Sequence, residues 1–413
     1  MKKFWCLLLI ALLLGCAPEA SAPVIHTTAS PAPVKTAAPT PVPTEPPTPE
    51  PTATPAPTLS PEERLYQYVD TLPVEEKIGQ LCMFGFAGTE TISTEFKKIL
   101  KEYRIGSVIL YGQNMVRSNP DGGFSQCLKL TDSVRAASDS EIPLLISTDV
   151  EGGSVTRFHW RKSLLSARSL GKKDDPDLAA EQFCAIAEGL LGAGINVDLA
   201  PCLDVSVDPD GSFLKNRILS SDADTAARIG AACIEGLHEG GCLSIVKHFP
   251  GHGATNTDSH KATPVTERTL DELYGYELVP FAEAAGTADG VMVAHILYPN
   301  VDGAHIASQS RVFITEILRE QLGFQGFVMS DDYRMAGLRD QISPKDGAVQ
   351  FILAGGDLIL CGANHTYQRQ ILSGLYEAVE DGTISRERLN ESVCRILSAK
   401  MRATGWDPLK SDD

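Results

Sequence analysis

Short apolar runs alternate with stretches of helical periodicity from about residue 62 onward. Eight of the runs have the length of buried strands, and turn residues bound them. Between the runs, apolar and charged residues recur at the 3.6-residue spacing of helices. The predicted strands are 79–84, 107–111, 143–148, 195–200, 243–248, 290–294, 326–330 and 357–360. The predicted helices include 94–103, 177–191, 225–237, 270–285 and 311–322, with a closing helix at 385–402.

This alternation predicts an α/β fold made of parallel βαβ units. Eight such units fit a single (β/α)8 TIM-type barrel, and a domain of residues 62–405 has a suitable length for it. An open, doubly wound parallel sheet is the alternative. We expect no second globular domain after the closing helix, and residues 406–413 are predicted to form a tail.

Polar residues stand at the downstream ends of five predicted strands. Because the active sites of such barrels lie at the C-terminal ends of the strands, these side chains are expected to meet at one barrel mouth. They are Asp149 after the third strand, Asp204 after the fourth, Lys247 and His248 at the end of the fifth, His295 after the sixth, and Asp331 and Asp332 at the end of the seventh.

The first residues have the layout of a secretory signal. Lys2 and Lys3 precede an apolar run, 4–14, that is too short to span a bilayer. The sequence Leu-Leu-Gly-Cys ending at Cys16 resembles a bacterial lipobox, which predicts a signal peptide of residues 1–15 and lipidation of Cys16. An ordinary cleaved signal is the alternative. The expected product is an exported lipoprotein, anchored on the outer face of the cytoplasmic membrane or in the cell envelope.

Residues 16–61 are predicted to be a lipid anchor followed by a disordered linker rich in proline and threonine. Fourteen of the chain's 26 prolines fall by Pro61, and large apolar residues are almost absent. Such a composition cannot bury a core and is typical of an extended tether. The formal net charge of -17 argues against nucleic acid as a partner. Contact with a membrane is therefore expected through the lipid anchor alone.

Eight cysteines remain beyond Cys6 and Cys16. An even number in an exported protein can indicate disulfides. However, most of the eight lie within apolar runs, and no CxxC or zinc-type spacing occurs. We therefore expect buried free thiols.

Two segments carry candidate acid–base chemistry. A carboxylate at a strand end, such as Asp331, can act as a nucleophile or general base, whereas its neighbour Asp332 is expected to cap the following helix. In Asp258-Ser259-His260 the carboxylate can fix the imidazole tautomer, so that the imidazole donates and accepts protons. A solvated loop without a role is the alternative for this second segment.

The remaining polar residues suggest binding rather than metal chemistry. His248, His252 and His260 are close in sequence, but glycines separate them and no metal-binding pattern is present, so no metal or other cofactor is predicted. His252 is expected to hold the loop turn and His295 to hydrogen-bond at the barrel mouth. The segment 149–153, Asp-Val-Glu-Gly-Gly, suits recognition of sugar hydroxyls, with a helix-capping or turn role as the alternative.

Taken together, these segments resemble glycoside hydrolase family 3, and in particular its bacterial β-N-acetylglucosaminidases. The most specific piece is 247–253, Lys-His-Phe-Pro-Gly-His-Gly, followed by Asp258-Ser259-His260. Further similar segments lie at 149–157, 196–205, 291–295, 330–335 and 354–357. Ser154 departs from the pattern, because many family members carry arginine there. The likeness runs in order from about residue 62 to 402.

The resemblance implies roles for eight residues. Asp331 would be the nucleophile, and His260 the general acid/base with Asp258 as its partner. The N-acetylglucosaminyl unit would be bound by Asp149, Arg157, Arg217, Lys247 and His248.

The implied activity is that of a retaining exo-β-N-acetylglucosaminidase, or β-N-acetylhexosaminidase. We expect the protein to be a monomer. Its expected substrate is GlcNAc at the non-reducing end of peptidoglycan fragments. A β-N-acetylglucosaminide phosphorylase, a related β-glucosidase and a non-catalytic sugar-binding lipoprotein are the alternatives.

Overall fold

The structure, a computed structural model, describes residues 59–253, 255 and 257–410. The predicted signal peptide, the lipidation of Cys16 and nearly all of the predicted linker lie outside the described residues and stay predictions. Within the described part, no helix has the length and apolar character needed to cross a membrane.

Eight parallel strands form the sheet predicted from the apolar runs. They follow one another around the sheet in chain order, and the last strand pairs with the first. A parallel bridge between Met329 and Leu358 joins the remaining edges, so the sheet closes as a TIM-type barrel rather than an open, doubly wound sheet. The strands are β1 (Cys82–Gly85), β2 (Ser107–Ile109), β3 (Leu145–Thr148), β4 (Val197–Asp198), β5 (Leu243–Phe249), β6 (Gly290–Val293), β9 (Phe327–Ser330) and β10 (Ile359–Cys361).

Two short strands outside the barrel were not predicted. They are β7 (Leu297–Tyr298) and β8 (Asp302–Ile306), which pair antiparallel after β6. Most of β8 is exposed, so the segment lacks the continuous apolar run that revealed the barrel strands.

Helices surround the barrel, and small polar residues begin most of them. Ser93, Asp175, Asp222 and Ser385 each accept a hydrogen bond from a backbone N–H of the first turn, which satisfies a donor that the helix leaves free. The helices are α1 (Pro61–Thr71), α2 (Val74–Gln80), α3 (Thr94–Glu102), α4 (Phe124–Arg135), α5 (Ala167–Lys173), α6 (Pro176–Gly192), α7 (Ala223–Glu239), α8 (Leu270–Tyr274), α9 (Val279–Ala284), α10 (Ala336–Arg339), α11 (Pro344–Leu353), α12 (His365–Glu380) and α13 (Arg386–Thr404).

Three predicted elements differ from the structure in type or continuity, and the predicted strand 195–200 is shortened to Val197–Asp198. The first strand was predicted from residue 79, but residues up to Gln80 end α2, because the apolar run continues from helix into strand. The predicted helix 270–285 is two helices, since Gly275 ends α8 and Pro280 lies in the first turn of α9. The predicted helix 311–322 is a π-helix, Val312–Gln321.

The closing helix α13 lies across the N-terminal end of the barrel. Arg388 donates to Gly356 O at 2.6 Å, Lys400 to Gly106 O at 2.7 Å, and Arg402 to Asp289 Oδ1 at 2.9 Å. These acceptors precede β10, β2 and β6. The helix therefore covers the end of the barrel opposite to the one where the predicted site residues lie.

The predicted tail continues from α13 and packs on the domain. The ring of Trp406 meets that of Tyr68 on α1 edge to face, at 6.1 Å between centroids. Arg64 also donates to Leu409 O at 2.7 Å. All eight cysteines of the described part are free, and six of them are buried, as predicted.

Candidate active site

A cavity of about 330 Å³ opens at the C-terminal end of the barrel strands. The three residues predicted for catalysis line it: Asp258, His260 and Asp331. The five residues predicted to bind the sugar line it as well: Asp149, Arg157, Arg217, Lys247 and His248. The fold thus brings together side chains from the loops after β3 and β4, from β5 and its following loop, and from the residue after β9.

A buried lysine stands at the centre of the sugar-binding side. Lys247 is 1% exposed, and its Nζ lies 2.8 Å from Asp149 Oδ1 and 2.7 Å from Glu151 Oε1. Arg157 Nη2 reaches the other oxygen of Asp149 at 2.6 Å. Burial alone would lower the pKa of Lys247, but Asp149 and Glu151 outweigh burial and raise that pKa above its ordinary value. The lysine is therefore charged at neutral pH.

Glu151 links this lysine to Arg217. Arg217 Nε and Nη2 donate to the two oxygens of Glu151, both at 2.8 Å. Burial pushes the pKa of Glu151 up, but Arg217 and Lys247 outweigh it and lower the pKa to about 2. We call Asp149, Glu151, Arg157, Arg217 and Lys247 the ionic cluster. Its members stay charged and hold one another in fixed positions at one wall of the cavity.

His248 lies between Arg217 and Asp204. Its Nδ1 is 2.6 Å from Asp204 Oδ2, and its Nε2 is 3.2 Å from Arg217 Nη2. Because a guanidinium can only donate, Nε2 accepts from Arg217 and Nδ1–H donates to Asp204. The Asp204 carboxylate is fully buried and also accepts from the backbone N–H groups of His248 and His252. These contacts fix both the tautomer and the orientation of the imidazole.

Asp331 follows β9 and faces the cavity from the other side. Its Oδ1 accepts the backbone N–H of Asp332 at 2.7 Å. Burial pushes the pKa of Asp331 up, but His248 and His295 outweigh burial, and the pKa lies below its ordinary value. The carboxylate is ionised at neutral pH, which is the state a nucleophile requires.

Asp332 does not cap a helix, contrary to the prediction. The residue that precedes α10 is Met335, whose side chain makes no capping hydrogen bond. Instead, Asp332 Oδ2 accepts from Tyr111 Oη at 2.7 Å and from Arg334 Nη2 at 2.6 Å, and Oδ1 accepts from Gly362 N at 3.1 Å. Asp332 therefore ties the end of β9 to the segments that follow β2 and β10.

The loop after β5 carries Asp258 and His260 over the cavity. Asp258 Oδ1 accepts the backbone N–H of His260 at 3.0 Å, which takes the place of the predicted contact with the imidazole ring. An aspartate commonly bonds the backbone N–H two residues ahead of it, and one intervening residue gives that turn. Gly337 N donates to Ser259 O at 2.9 Å, so the loop rests on α10. The His260 side chain is exposed and lines the cavity.

A family model, the Glycosyl hydrolase family 3 N terminal domain, matches residues 73–399. The chain belongs to glycoside hydrolase family 3. The beta-hexosaminidase of Idiomarina loihiensis is 33% identical over 332 residues, which cover 79% of this chain and 97% of that protein. The beta-hexosaminidase A of Pseudoalteromonas piscicida is 31% identical over 343 residues, or 76% of this chain. This chain spans only 56% of that second relative.

Solved structures of the family share the fold. The glycoside hydrolase family 3 beta-N-acetylglucosaminidase from Paenibacillus sp. str. FPU-7 is 36% identical and superposes with a TM-score of 0.76, covering 83% of this chain and 66% of that one. The beta-N-acetylhexosaminidase from Beutenbergia cavernae is 27% identical with a TM-score of 0.73, covering 80% of this chain and 99% of that one. The predicted resemblance to family 3 is confirmed.

Sequence reasoning on this family 3 chain missed the parts played by Glu151 and Asp204. The sequence places Glu151 in a segment that suits sugar hydroxyls or a turn, and Asp204 at the barrel mouth, but it predicts neither the contact of Glu151 with Arg217 and Lys247 nor that of Asp204 with His248. Glu151 could have been suspected, because a buried lysine beside two arginines needs more than one carboxylate. Asp204 is separated from His248 by 44 residues, and only the pairing of β4 with β5 brings the two together.

Asp198, inside the barrel beneath the ionic cluster, was also missed. Its Oδ1 accepts the backbone N–H of Val150 at 2.8 Å, whereas its Oδ2 has no hydrogen-bond partner in the described part of the chain. Burial raises the pKa of Asp198 well above its ordinary value. This residue therefore supports the turn that presents Asp149 and Glu151.

Two further histidines are buried beside the candidate nucleophile. His252 meets the ring of His248 edge to face, and burial lowers its pKa to about 4. His295 Nδ1 lies 2.7 Å from Ser308 Oγ. The His295 contact fits the hydrogen-bonding role that the sequence predicts, whereas the ring of His252 packs against His248 and its Nδ1 has no hydrogen-bond partner among the described residues, so its predicted role in the loop turn stays a prediction.

One set of side chains in the described residues has the spacing of metal ligands. One ligand atom each of Cys202, Asp204 and His248 lies within 4.8 Å of the others. These atoms already bond one another, since Cys202 Sγ–H donates to Asp204 Oδ2 at 3.1 Å and His248 Nδ1–H donates to the same oxygen. The neighbouring Arg217 guanidinium would also repel a cation. The absence of a metal from the chemistry stays a prediction.

Proposed function

We propose that this protein is a retaining exo-β-N-acetylglucosaminidase that releases GlcNAc from the non-reducing end of a glycan. The observation that carries the proposal is the layout of the cavity. One wall is the ionic cluster, which offers fixed donors and acceptors to a polar ligand, and the opposite side holds the ionised Asp331 and the exposed His260. The beta-hexosaminidase names of the relatives support a GlcNAc-containing substrate.

In the first step, a carboxylate oxygen of Asp331 attacks C1 of the GlcNAc unit. The bond from C1 to the aglycone oxygen breaks, a glycosyl ester forms on Asp331, and protonated His260 gives its proton to the departing oxygen. In the second step, water attacks C1 while His260 takes a proton from it. The ester then breaks and Asp331 is regenerated, so two inversions give retention at C1.

The ionic cluster supports exo action on one terminal sugar. Carboxylates such as Asp149 accept hydrogen bonds from sugar hydroxyls, while Arg157 and Lys247 donate to hydroxyl or carbonyl oxygens. A cavity of about 330 Å³ is at the small end for ligand sites. It suits a single sugar bound against the cluster, with the aglycone directed toward the opening.

Asp258 is proposed to position His260 by fixing the backbone of the loop. Its carboxylate holds the His260 N–H, and Ser259 O in turn accepts the N–H of Gly337. The imidazole thereby keeps its place at the cavity while its ring remains free to exchange a proton.

Peptidoglycan fragments are the proposed natural substrate, and the envelope-facing side of a membrane is the proposed location. Support for both comes from the signal-like segment 1–15, Cys16 and the proline-rich segment that follows. A monomeric state is proposed as well.

Phosphorolysis by the same site is the second candidate. An imidazole acid/base repels an incoming phosphate less than a carboxylate would, and four cations line the cavity: Arg157, Arg217, Lys247 and Arg334. In that case phosphate takes the place of water in the second step, and the product is GlcNAc-1-phosphate.

The test compares the purified chain on an aryl β-GlcNAc and on the matching aryl β-glucoside. We expect preference for the GlcNAc substrate and a product that NMR shows first as the β anomer. Asp331→Ala should lower kcat by about 10³-fold or more, as removal of a catalytic nucleophile does. The control is Asp340→Asn, an exposed carboxylate on the neighbouring helix end.

Preference for the glucoside would overturn the substrate assignment. An initially α product would overturn double displacement. Sugar binding without turnover by the unmodified chain would favour the sugar-binding lipoprotein.

A further inference from the structure

Arg334 is held rigidly at the part of the cavity rim that the segments after β2, β9 and β10 form. Its Nε and Nη2 donate to Asp332, with the shortest contact at 2.6 Å, and its Cζ lies 5.2 Å from the ring centroid of Tyr111. Gly362 makes room for it, because a Cβ on Gly362 would lie 2.1 Å from Arg334 Cζ. Three segments of the fold therefore fix the guanidinium of Arg334. This residue follows the candidate nucleophile, Asp331, by three positions.

One end of this guanidinium is unused. Nη1 has no hydrogen-bond partner among the described residues, the side chain is 36% exposed, and the residue lines the cavity with Asp331 and His260. Holding Asp332 in place needs only Nε and Nη2. A guanidinium fixed in this way offers its two Nη1 donors to a ligand with little loss of side-chain freedom on binding.

The position of Arg334 points toward the leaving-group end of the substrate. The ionic cluster follows β3, β4 and β5, whereas Arg334 follows β9 and contacts Tyr111 after β2 and Gly362 after β10, so it lies on the neighbouring part of the rim, beyond Tyr111. The loop that carries His260 rests on α10, which begins two residues after Arg334. A sugar bound on the cluster would direct its leaving group toward this part of the cavity.

We propose that Arg334 forms an oxyanion-binding subsite that recognises a carboxylate on the leaving group or a phosphate that replaces it. The inference deepens the proposed function and rests on it for the identity of the sugar. The charges of the cavity bear on the phosphate case: four cations face five carboxylates, namely Asp149, Glu151, Asp258, Asp331 and Asp332. Once Asp331 is esterified the charges balance, so repulsion of an incoming anion falls.

The test uses two disaccharides that differ by one carboxylate, GlcNAc-β-1,4-MurNAc and GlcNAc-β-1,4-GlcNAc. We expect the unmodified chain to favour the carboxylated substrate by about tenfold in kcat/KM, as a charge-assisted bidentate contact provides. Arg334→Gln should abolish this ratio, mainly through KM, and Arg334→Lys should restore part of it. Arg339→Gln, an exposed arginine on α10, is the matched control and should leave the ratio unchanged.

A phosphate titration separates the two sources of the oxyanion. If phosphate is the ligand, GlcNAc-1-phosphate forms, and Arg334→Gln raises the phosphate concentration needed for half-maximal formation of this product. In that case the ratio of kcat/KM for the two disaccharides stays near one in the unmodified chain. If the leaving-group carboxylate is the ligand, Arg334→Gln lowers the ratio of kcat/KM for the two disaccharides, and added phosphate does not change the products or the rate. Equal losses on all substrates would show that Arg334 only supports Asp332 and would overturn the subsite.

A binding measurement, which needs no turnover, tests this inference independently of the proposed function. Calorimetry on the inactive Asp331→Ala variant should show tighter binding of GlcNAc-β-1,4-MurNAc than of GlcNAc-β-1,4-GlcNAc, with the difference lost when Arg334→Gln is added. A chain that cleaves no β-GlcNAc substrate but keeps this difference would contradict the hydrolase and leave the subsite standing. A cleaving chain whose Arg334→Gln variant changes neither the binding difference nor the phosphate response would contradict the subsite.

Discussion

At the scale of single residues, the site is a balance of buried charges. Lys247 is almost fully buried, which is unfavourable for an isolated cation. Asp149 and Glu151 compensate this charge, and Arg157 and Arg217 compensate the carboxylates in turn. Removing one partner of such a pair leaves a buried charge unmatched and costs about 3–5 kcal/mol. Each member of the ionic cluster is therefore required by the others, whatever its contact with a ligand.

Glu151→Gln tests this dependence. The amide keeps the shape but loses the charge that serves both Arg217 and Lys247, so these cations should shift in the cavity. We expect kcat/KM on an aryl β-GlcNAc to fall about 10- to 100-fold, mostly through KM, equivalent to about 1.4–2.8 kcal/mol. Steady-state kinetics measure the change, with Asp340→Asn as the exposed control. An unchanged KM would show that Glu151 does not organise the cluster.

At the scale of elements, the strand β5 and the loop after it carry most of the site. All seven residues of β5 are buried, and the strand ends in Lys247, His248 and Phe249. The loop then passes so close to the segment after β4 that Gly253 has no room for a side chain: a Cβ there would lie 1.4 Å from Val205 O. The position of His260 thus depends on a backbone contact several residues upstream.

Gly253→Ala should displace this loop while leaving the barrel folded. We expect kcat to fall about tenfold or more, because small displacements of an acid/base group are costly, with little change in the circular dichroism spectrum. Gly286→Ala is the control, since a Cβ at Gly286 meets no atom within 4 Å. Full activity of the Gly253→Ala variant would contradict the dependence of His260 on this contact.

At the scale of the whole molecule, α13 closes the barrel at the end remote from the site. Its Lys400 is fully buried and donates to Gln80 Oε1 at 2.6 Å and to Gly106 O at 2.7 Å. Burial lowers the pKa of Lys400 to about 7. A neutral amine has two N–H groups, which match these two acceptors. The N-terminal end of the barrel therefore stabilises the uncharged form of Lys400 relative to the same side chain in water.

This preference makes stability depend on pH in a defined direction. In the unfolded chain Lys400 keeps its proton up to its ordinary pKa of 10.5, whereas the folded chain releases it above about 7. Between these values the unfolded state binds more protons, so the contribution of Lys400 to the unfolding free energy rises with pH, by at most about 1.4 kcal/mol per pH unit. Lys400→Met should remove this rise in urea denaturation, while exposed Lys97→Met should keep it. An identical pH dependence in the Lys400→Met variant would contradict a neutral lysine.

The barrel could be predicted because its signals are local. Apolar runs of strand length and helical spacing between them arise from burial within each element, and the downstream polar residues follow from the chain direction of parallel strands. The predictions failed where neighbouring elements merge or break. The apolar run at residue 79 continues from α2 into β1, and the helical pattern at 270–285 hides the break at Gly275.

The sequence alone determined the parallel barrel and the residues that reach its C-terminal end, because both depend on short-range patterning and strand direction. Only the tertiary structure decided which polar and charged groups pair. Asp204 hydrogen-bonds to His248, Glu151 to Arg217, and Asp332 to Tyr111. These pairs are separated along the chain by 44, 66 and 221 residues, respectively. The physical reason is that a buried charge is compensated by whichever opposite charge the closed sheet brings within about 3 Å, and separation along the chain has no influence on that distance.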